Sequence, residues 1–200
     1  MSIQGPRRTF LGIAILAAGL LRTAAPAPAQ EVTVAVSMDP VTLDPRLANG
    51  MPAISLVHHL ADKLIFVDTK LNLVPQLATS WEWRNPTTLR LHLRKGVKFH
   101  NGEPFTAESV KYTLETTLSP QSTSWQKPFL RAIDQIEILD DYTVDLKTKT
   151  PYRPLAANLT YPGMVPPKAG KALGKEMGTK VVGAGPFKLV EYLPGQRVVM

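Results

Sequence analysis

His58, His59, His92 and His100 are the side chains of this 200-residue chain best suited to hold a metal or move a proton. Imidazoles chelate as a pair when they lie four residues apart on one helical face. His58 and His59 are adjacent on an expected helix and point about 100° apart, so they do not converge on one ion. His92 falls in an expected strand and His100 in a loop. There is no cysteine to complete a site, which also excludes disulfides, thiolate nucleophiles and lipid acylation at a thiol. Ordinary surface histidines fit these spacings, and no metal ligand is assigned.

Phosphate and acyl-transfer chemistry find no better footing. Gly183-Ala184-Gly185 begins like a dinucleotide loop, but Pro186 and Lys188 break it, and a strand pattern follows where a helix is required. The run GKALGKE, Gly170 to Glu176, has one residue too few between its glycines for a phosphate loop. Glu176 also stands where Ser or Thr must hold magnesium. Nucleophile-elbow and zinc-protease motifs are absent. The glycosylation triplet Asn158-Leu159-Thr160 is a chance match. No catalytic residue and no cofactor are expected, so the reading turns to binding. Trp125, in STSWQKPF, is an aromatic on a polar loop that either stacks on a ligand or caps the core.

Elements must hold such residues in place. Val32, Val34 and Val36 alternate as a strand ahead of Asp-Pro steps. Asn49 to Pro52 is a loop, after which Ile54, Val57, Leu60, Ala61, Leu64 and Ile65 share one helical face. Leu89, Leu91 and Leu93 alternate with Arg90, His92 and Arg94, the pattern of a strand with one buried face. Lys95-Gly96 and Asn101-Gly102 are turns. Thr106 caps a helix, with Phe105 and Val110 at staple spacing and Ala107, Val110, Leu114 and Leu118 as its buried stripe. Ile136 and Ile138 face Val144 and Leu146 across a hairpin at Asp140-Asp141. PLAANL, Pro154 to Leu159, is a candidate short helix. Tyr161 to Gly178 reads as irregular with a short helix at most, and Gly185 to Met200 as strand, turn, strand.

The first 29 residues stand outside this plan. A basic start, an apolar run of twelve residues from Phe10 to Leu21, and Ala-x-Ala sites ending at Ala27 and Ala29 make a secretory signal peptide. The run is shorter than the roughly 20 residues that span a bilayer. Arg7-Arg8-Thr9-Phe10-Leu11 also resembles a twin-arginine export motif, with Pro6 where Ser or Thr is usual. Removal of residues 1–29 leaves 20 basic and 16 acidic residues, a net +4 in place of +7. That surplus forms no dense basic run interleaved with aromatics, so nucleic acid is not an expected partner.

The order LVPQLATSWEW, LHLRKGVKFHNGEPFTAESVKYTLE, IEILDDYTVDLK and GAGPFKLVEYLPGQRV resembles the peptide- and nickel-type solute-binding proteins of bacterial ABC importers, family 5. The resemblance runs from about Val32 to the end. It implies an α/β, periplasmic binding protein-like fold, with a mixed β-sheet first lobe and a smaller α+β subdomain. Residues 30–200 would be the N-terminal part of the solute-binding domain, truncated at the C-terminus, with the second lobe absent. By the same resemblance the protein is a periplasmic monomer that closes on a peptide or similar small polar solute and delivers it to permease subunits and their ATPase. A metal chelate such as nickel, or a scaffold or adhesion role on the same fold, is the alternative. The first-lobe wall of the ligand cleft then matches Asn49, Gly50 and Met51, with Trp125 near a ligand-side aromatic. Arg153 and Tyr161 flank the next segment toward the cleft. A surface turn without contacts is the competing reading of Asn49 to Met51. Gly50 would let a backbone approach a ligand closely, and Met51 is soft and adaptable.

Overall fold

A computed structural model describes residues 32–35 and 37–200. The signal-peptide expectation lies outside the described residues. The strand expected from Val32 is not formed at residues 32–35, where Val32 and Val34 are exposed and carry no regular structure.

The central sheet has four antiparallel strands in the order β3-β4-β6-β5: β3 (Ala78–Asn85), β4 (Thr88–Leu93), β5 (Ile133–Asp140) and β6 (Thr143–Thr148). The alternation in β4 decides which face is buried. Leu89, Leu91 and Leu93 enter the core, while Arg90 turns to the other face and forms a two-pronged bond with Asp145 at 2.7 and 2.8 Å. Trp81 and Trp83 stand opposite Leu91 and Leu89 and pack at the margin of that core. The hairpin register pairs Ile136 with Leu146 and Ile138 with Val144, as the sequence pattern requires. Every strand pair among the described residues is antiparallel, including β1 (Ile65–Val67) with β2 (Leu73–Pro75) and β7 (Glu191–Leu193) with β8 (Arg197–Val199). The α/β composition stands, but the mixed pairing expected of the sheet does not occur among these strands.

The sheet's buried face is covered by α2 (Ala107–Leu118). Gly96 and Gly102 take positive φ in the turns before it. Thr106 begins the helix in a capping box, its own N–H donating to Ser109 Oγ at 3.3 Å. Phe105 and Val110 are fully buried on either side of the cap. The buried stripe is wider than leucine and valine alone: Thr113 and Thr117 lie inside too. Each satisfies its hydroxyl on the carbonyl four residues back at 2.8 Å.

The first helix, α1 (Met51–Leu60), is shorter than its apolar periodicity suggests. Leu64 and Ile65 are buried, but Ile65 belongs to β1. The helix stops because other backbone takes its last carbonyls. Gly185 N–H donates to Leu60 O and Phe187 N–H to His59 O, both at 3.0 Å. Beyond the sheet, α3 (Lys127–Leu130) and α4 (Leu155–Asn158) are single turns. The region from Tyr161 to Gly178 is more ordered than its Pro-Gly-Lys composition implies: α5 (Pro167–Leu173) runs directly into a 3-10 turn at Gly174–Gly178.

Candidate ligand-binding site

The segment from Leu43 to Met51 is held from beneath by a buried ion pair. Asp44 and Arg46 are both buried, and the carboxylate accepts Arg46 Nε at 2.9 Å and a terminal guanidinium nitrogen at 2.7 Å. The Asp44 carbonyl also accepts the N–H groups of Leu47 and Ala48, which curls the chain after the Asp-Pro step. Burial alone would pull the pKa of Arg46 down. The hydrogen bonds and charge of Asp44 outweigh it and leave the guanidinium above its usual value. The guanidinium also lies over the Tyr112 ring, 5.8 Å from its centroid.

A second clamp comes from three consecutive residues. Ser124 Oγ donates to Arg46 O, Trp125 Nε1 to Ala48 O at 2.7 Å, and Gln126 Nε2 to Pro45 O at 3.1 Å. Carbonyls in an irregular loop have no strand partner, and these side chains supply one. The clamp ends where the exposed tip begins. Gly50 takes φ +80°, a conformation that L side chains avoid, and a Cβ there would meet open space. Asn49 Oδ1 accepts the Gly50 N–H at 2.8 Å, and Gly50 O accepts Ile54 N–H to start α1. Pro52 sits in the first turn of that helix, where no N–H is needed, and Met51 is 73% exposed.

Trp125 is therefore tied to the Asn49-Gly50-Met51 loop through Ala48, and the structure brings these sequence-chosen residues into one region. It adds two more. The rings of Trp125, Phe129 and Tyr161 touch pairwise, with centroids 5.9, 5.4 and 4.9 Å apart. Phe129 and Tyr161 are 37% and 38% exposed. Asn158 Nδ2 donates to Phe129 O at 2.8 Å and to Tyr152 Oη at 3.1 Å, which joins α4 to α3 beneath the rings. Phe129 went unnoticed in the sequence, although it lies four residues after Trp125, the spacing of neighbours on a helical face. Arg153 stands apart from this group, its guanidinium 5.0 Å from the Trp83 ring centroid. A hollow of about 420 Å³ between α2 and β5 includes none of these residues.

Each histidine is engaged separately. His100 holds the Gly183-Gly185 segment, its N–H donating to Gly183 O and its Nε2 lying 2.9 Å from Gly185 O. His59 meets the Phe187 ring edge-on, and His92 is 4.0 Å from the Glu82 carboxylate. His58 Nε2 takes a 2.7 Å bond from Lys63 Nζ. Burial first, then the Lys63 and His59 charges, depress the His58 pKa to about 4, and burial depresses Lys63 to about 8. In Lys63→Met, His58 should titrate at a higher pH, though burial keeps it below 6.5, as a proton-NMR titration of the imidazole would read. The unfolded chain protonates His58 near 6.5 and the folded one near 4, so acidification through that window favours unfolding. Wild type should therefore lose more stability between those pH values than the variant. Among the described residues, no three of His, Asp or Glu gather as a metal site.

The profile of the bacterial extracellular solute-binding proteins, family 5 Middle, matches residues 72–200. The chain is 31% identical over 198 residues to the glutathione-binding protein GsiB of Pectobacterium atrosepticum, covering 96% of this chain and 38% of that protein. Among solved structures, the binding protein AgaA of A. tumefaciens R10 in complex with agropinic acid superposes with a TM-score of 0.76 at 28% identity. The match covers 80% of this chain and 33% of AgaA. OppA of Burkholderia pseudomallei shares the fold, with a TM-score of 0.75 at 24% identity over 82% of this chain and 36% of its own. The chain thus spans little more than a third of the length of the relatives it matches.

Proposed function

The chain belongs to the bacterial extracellular solute-binding proteins of family 5, and from that premise we propose that it supplies one wall of a cleft that captures a peptide or similar small polar solute. The solute passes unaltered to the permease of an ABC importer. Residues 1–29 act as the export signal, and capture takes place in the periplasm by a monomer. The observation that supports this reading most is the clamp of Ser124, Trp125 and Gln126 on the carbonyls of Pro45, Arg46 and Ala48. A loop held so firmly just below an exposed tip suits a rigid scaffold presenting contact groups to a ligand. The tip offers what an extended peptide needs: backbone polar groups at a helix start, an exposed amide on Asn49 and an adaptable thioether on Met51. GsiB is named for glutathione, a tripeptide, and the proposed solute class includes molecules of that kind.

Capture by closure follows population shift. A solute that touches both walls of the cleft binds the closed form better and so draws the protein toward it. Native mass spectrometry of the whole protein, purified gently from its host, tests the reading. The expected spectrum contains a peptide-sized ligand that is released on unfolding with its mass intact. Recovery of a chemically altered molecule, or a bare protein that takes up no added peptide, contradicts it.

A further inference from the structure

The three touching rings do not share one role. Trp125 has spent its only polar group, the indole N–H, on Ala48 O, and its ring is flanked by Phe129 and Tyr161. Phe129 and Tyr161 each keep more than a third of their surface open, and the Tyr161 hydroxyl has no hydrogen bond among the described residues. Centroids 4.9 to 5.9 Å apart leave no slot between the rings for a cation, so a ligand group packs on their outer faces. Among the described residues no cation is stacked on these rings either, although Lys127 and Arg131 flank Phe129 in the chain. The cation–ring contacts among the described residues fall on Tyr112, Phe66, Tyr142 and Trp83, and none falls on this group.

We infer that Tyr161 and Phe129 form the ligand-facing surface, that it selects an uncharged ring or apolar side chain of the solute, and that Trp125 is a positioning residue that braces the Asn49–Met51 loop. The inference rests on the solute-capture reading above. An apolar group gains by leaving water against these faces, and the free Tyr161 hydroxyl orients a neighbouring amide of the solute. A carboxylate against the same faces would lose hydration with no cation over the rings to replace it, and the Lys127 ammonium beside Phe129 already donates to Ser119 O at 2.7 Å. Asn158 fixes the carbonyl of Phe129 and lies three residues before Tyr161, so both faces are set before the solute arrives.

Calorimetry on the whole protein tests this with two tripeptides, one with a central phenylalanine and one with a central glutamate. Wild type should bind the phenylalanine peptide about tenfold or more tightly than the other. Tyr161→Ala should shrink that ratio to about threefold or less by removing the selecting face. Tyr161→Phe, a gentler change, should keep the ratio while weakening both peptides. Trp125→Phe keeps a ring but breaks the tie to Ala48, and it should weaken both peptides alike with the ratio preserved. Peptide binding with a ratio unmoved by Tyr161→Ala overturns the inference and leaves solute capture standing. Failure of the wild type to bind either peptide overturns both.

Discussion

Replacing Gly183 by alanine is expected to cost the fold about 3 kcal/mol, the upper end of overpacking penalties. A Cβ at this position would overlap the Leu60 carbonyl and lie 2.9 Å from Ala61 Cα, and both obstacles are backbone that cannot rotate aside. The segment around it cannot retreat without losing bonds. His100 N–H donates to Gly183 O at 2.9 Å, while Gly185 and Phe187 donate to the last carbonyls of α1 at 3.0 Å. Since α1 begins at the candidate site, its C-terminal anchor also bears on where Met51 stands. Urea unfolding of the variant and wild type gives the comparison. Gly195→Ala serves as reference, because its φ is positive but a Cβ there meets open space, and it should cost only about 1 kcal/mol. A Gly183→Ala midpoint no lower than that of Gly195→Ala would contradict the close approach.

Asp44→Ala should be comparably severe, at about 3 kcal/mol or more, because it leaves the buried Arg46 guanidinium without its carboxylate. Tyr112 and Thr116, at 3.5 and 3.4 Å, are weak neutral substitutes. The damage extends beyond stability. Arg46 O and Pro45 O are two of the three carbonyls gripped by the 124–126 clamp, so a displaced Arg46 should loosen the loop and weaken solute binding too. The pair need not be net stabilising. Asp44→Leu combined with Arg46→Met should recover much of the loss in stability, since breaking a buried pair costs more than replacing it with apolar groups. Equal instability of the single and double variants would show that the charge left behind is not the cause.

The most legible parts of the sequence were those governed by local periodicity and turn chemistry. Leu89, Leu91 and Leu93, the Thr106 cap and the hairpin at Asp140-Asp141 lie where alternation and capping place them. What could not be read depended on distant partners. The end of α1 at Leu60 is set by N–H groups more than a hundred positions away that donate to its last carbonyls, against an apolar pattern that runs on to Ile65. Gly183-Ala184-Gly185 was read as a failed nucleotide loop, and its glycines are there so that two backbones can touch. His100 looked like a surface histidine and braces that contact. At the candidate site, family resemblance pointed to Asn49, Gly50, Met51 and Trp125. The tie between Trp125 and Ala48 joins positions 77 apart, and no local pattern announces it. Phe129 was missed because one aromatic after a Lys-Pro step carries no sign of exposure until the neighbouring rings are in place.

Hydrogen exchange read by mass spectrometry, on the whole protein with and without a saturating peptide, puts the proposed wall to its most direct trial. Backbone amides across residues 45–54 and 126–131 should slow when the peptide is present, while those of the β3-β4 edge of the sheet stay as they were. Slowing confined to the sheet, with the loop and the aromatic segment exchanging at their unliganded rates, would mean that the solute is held elsewhere.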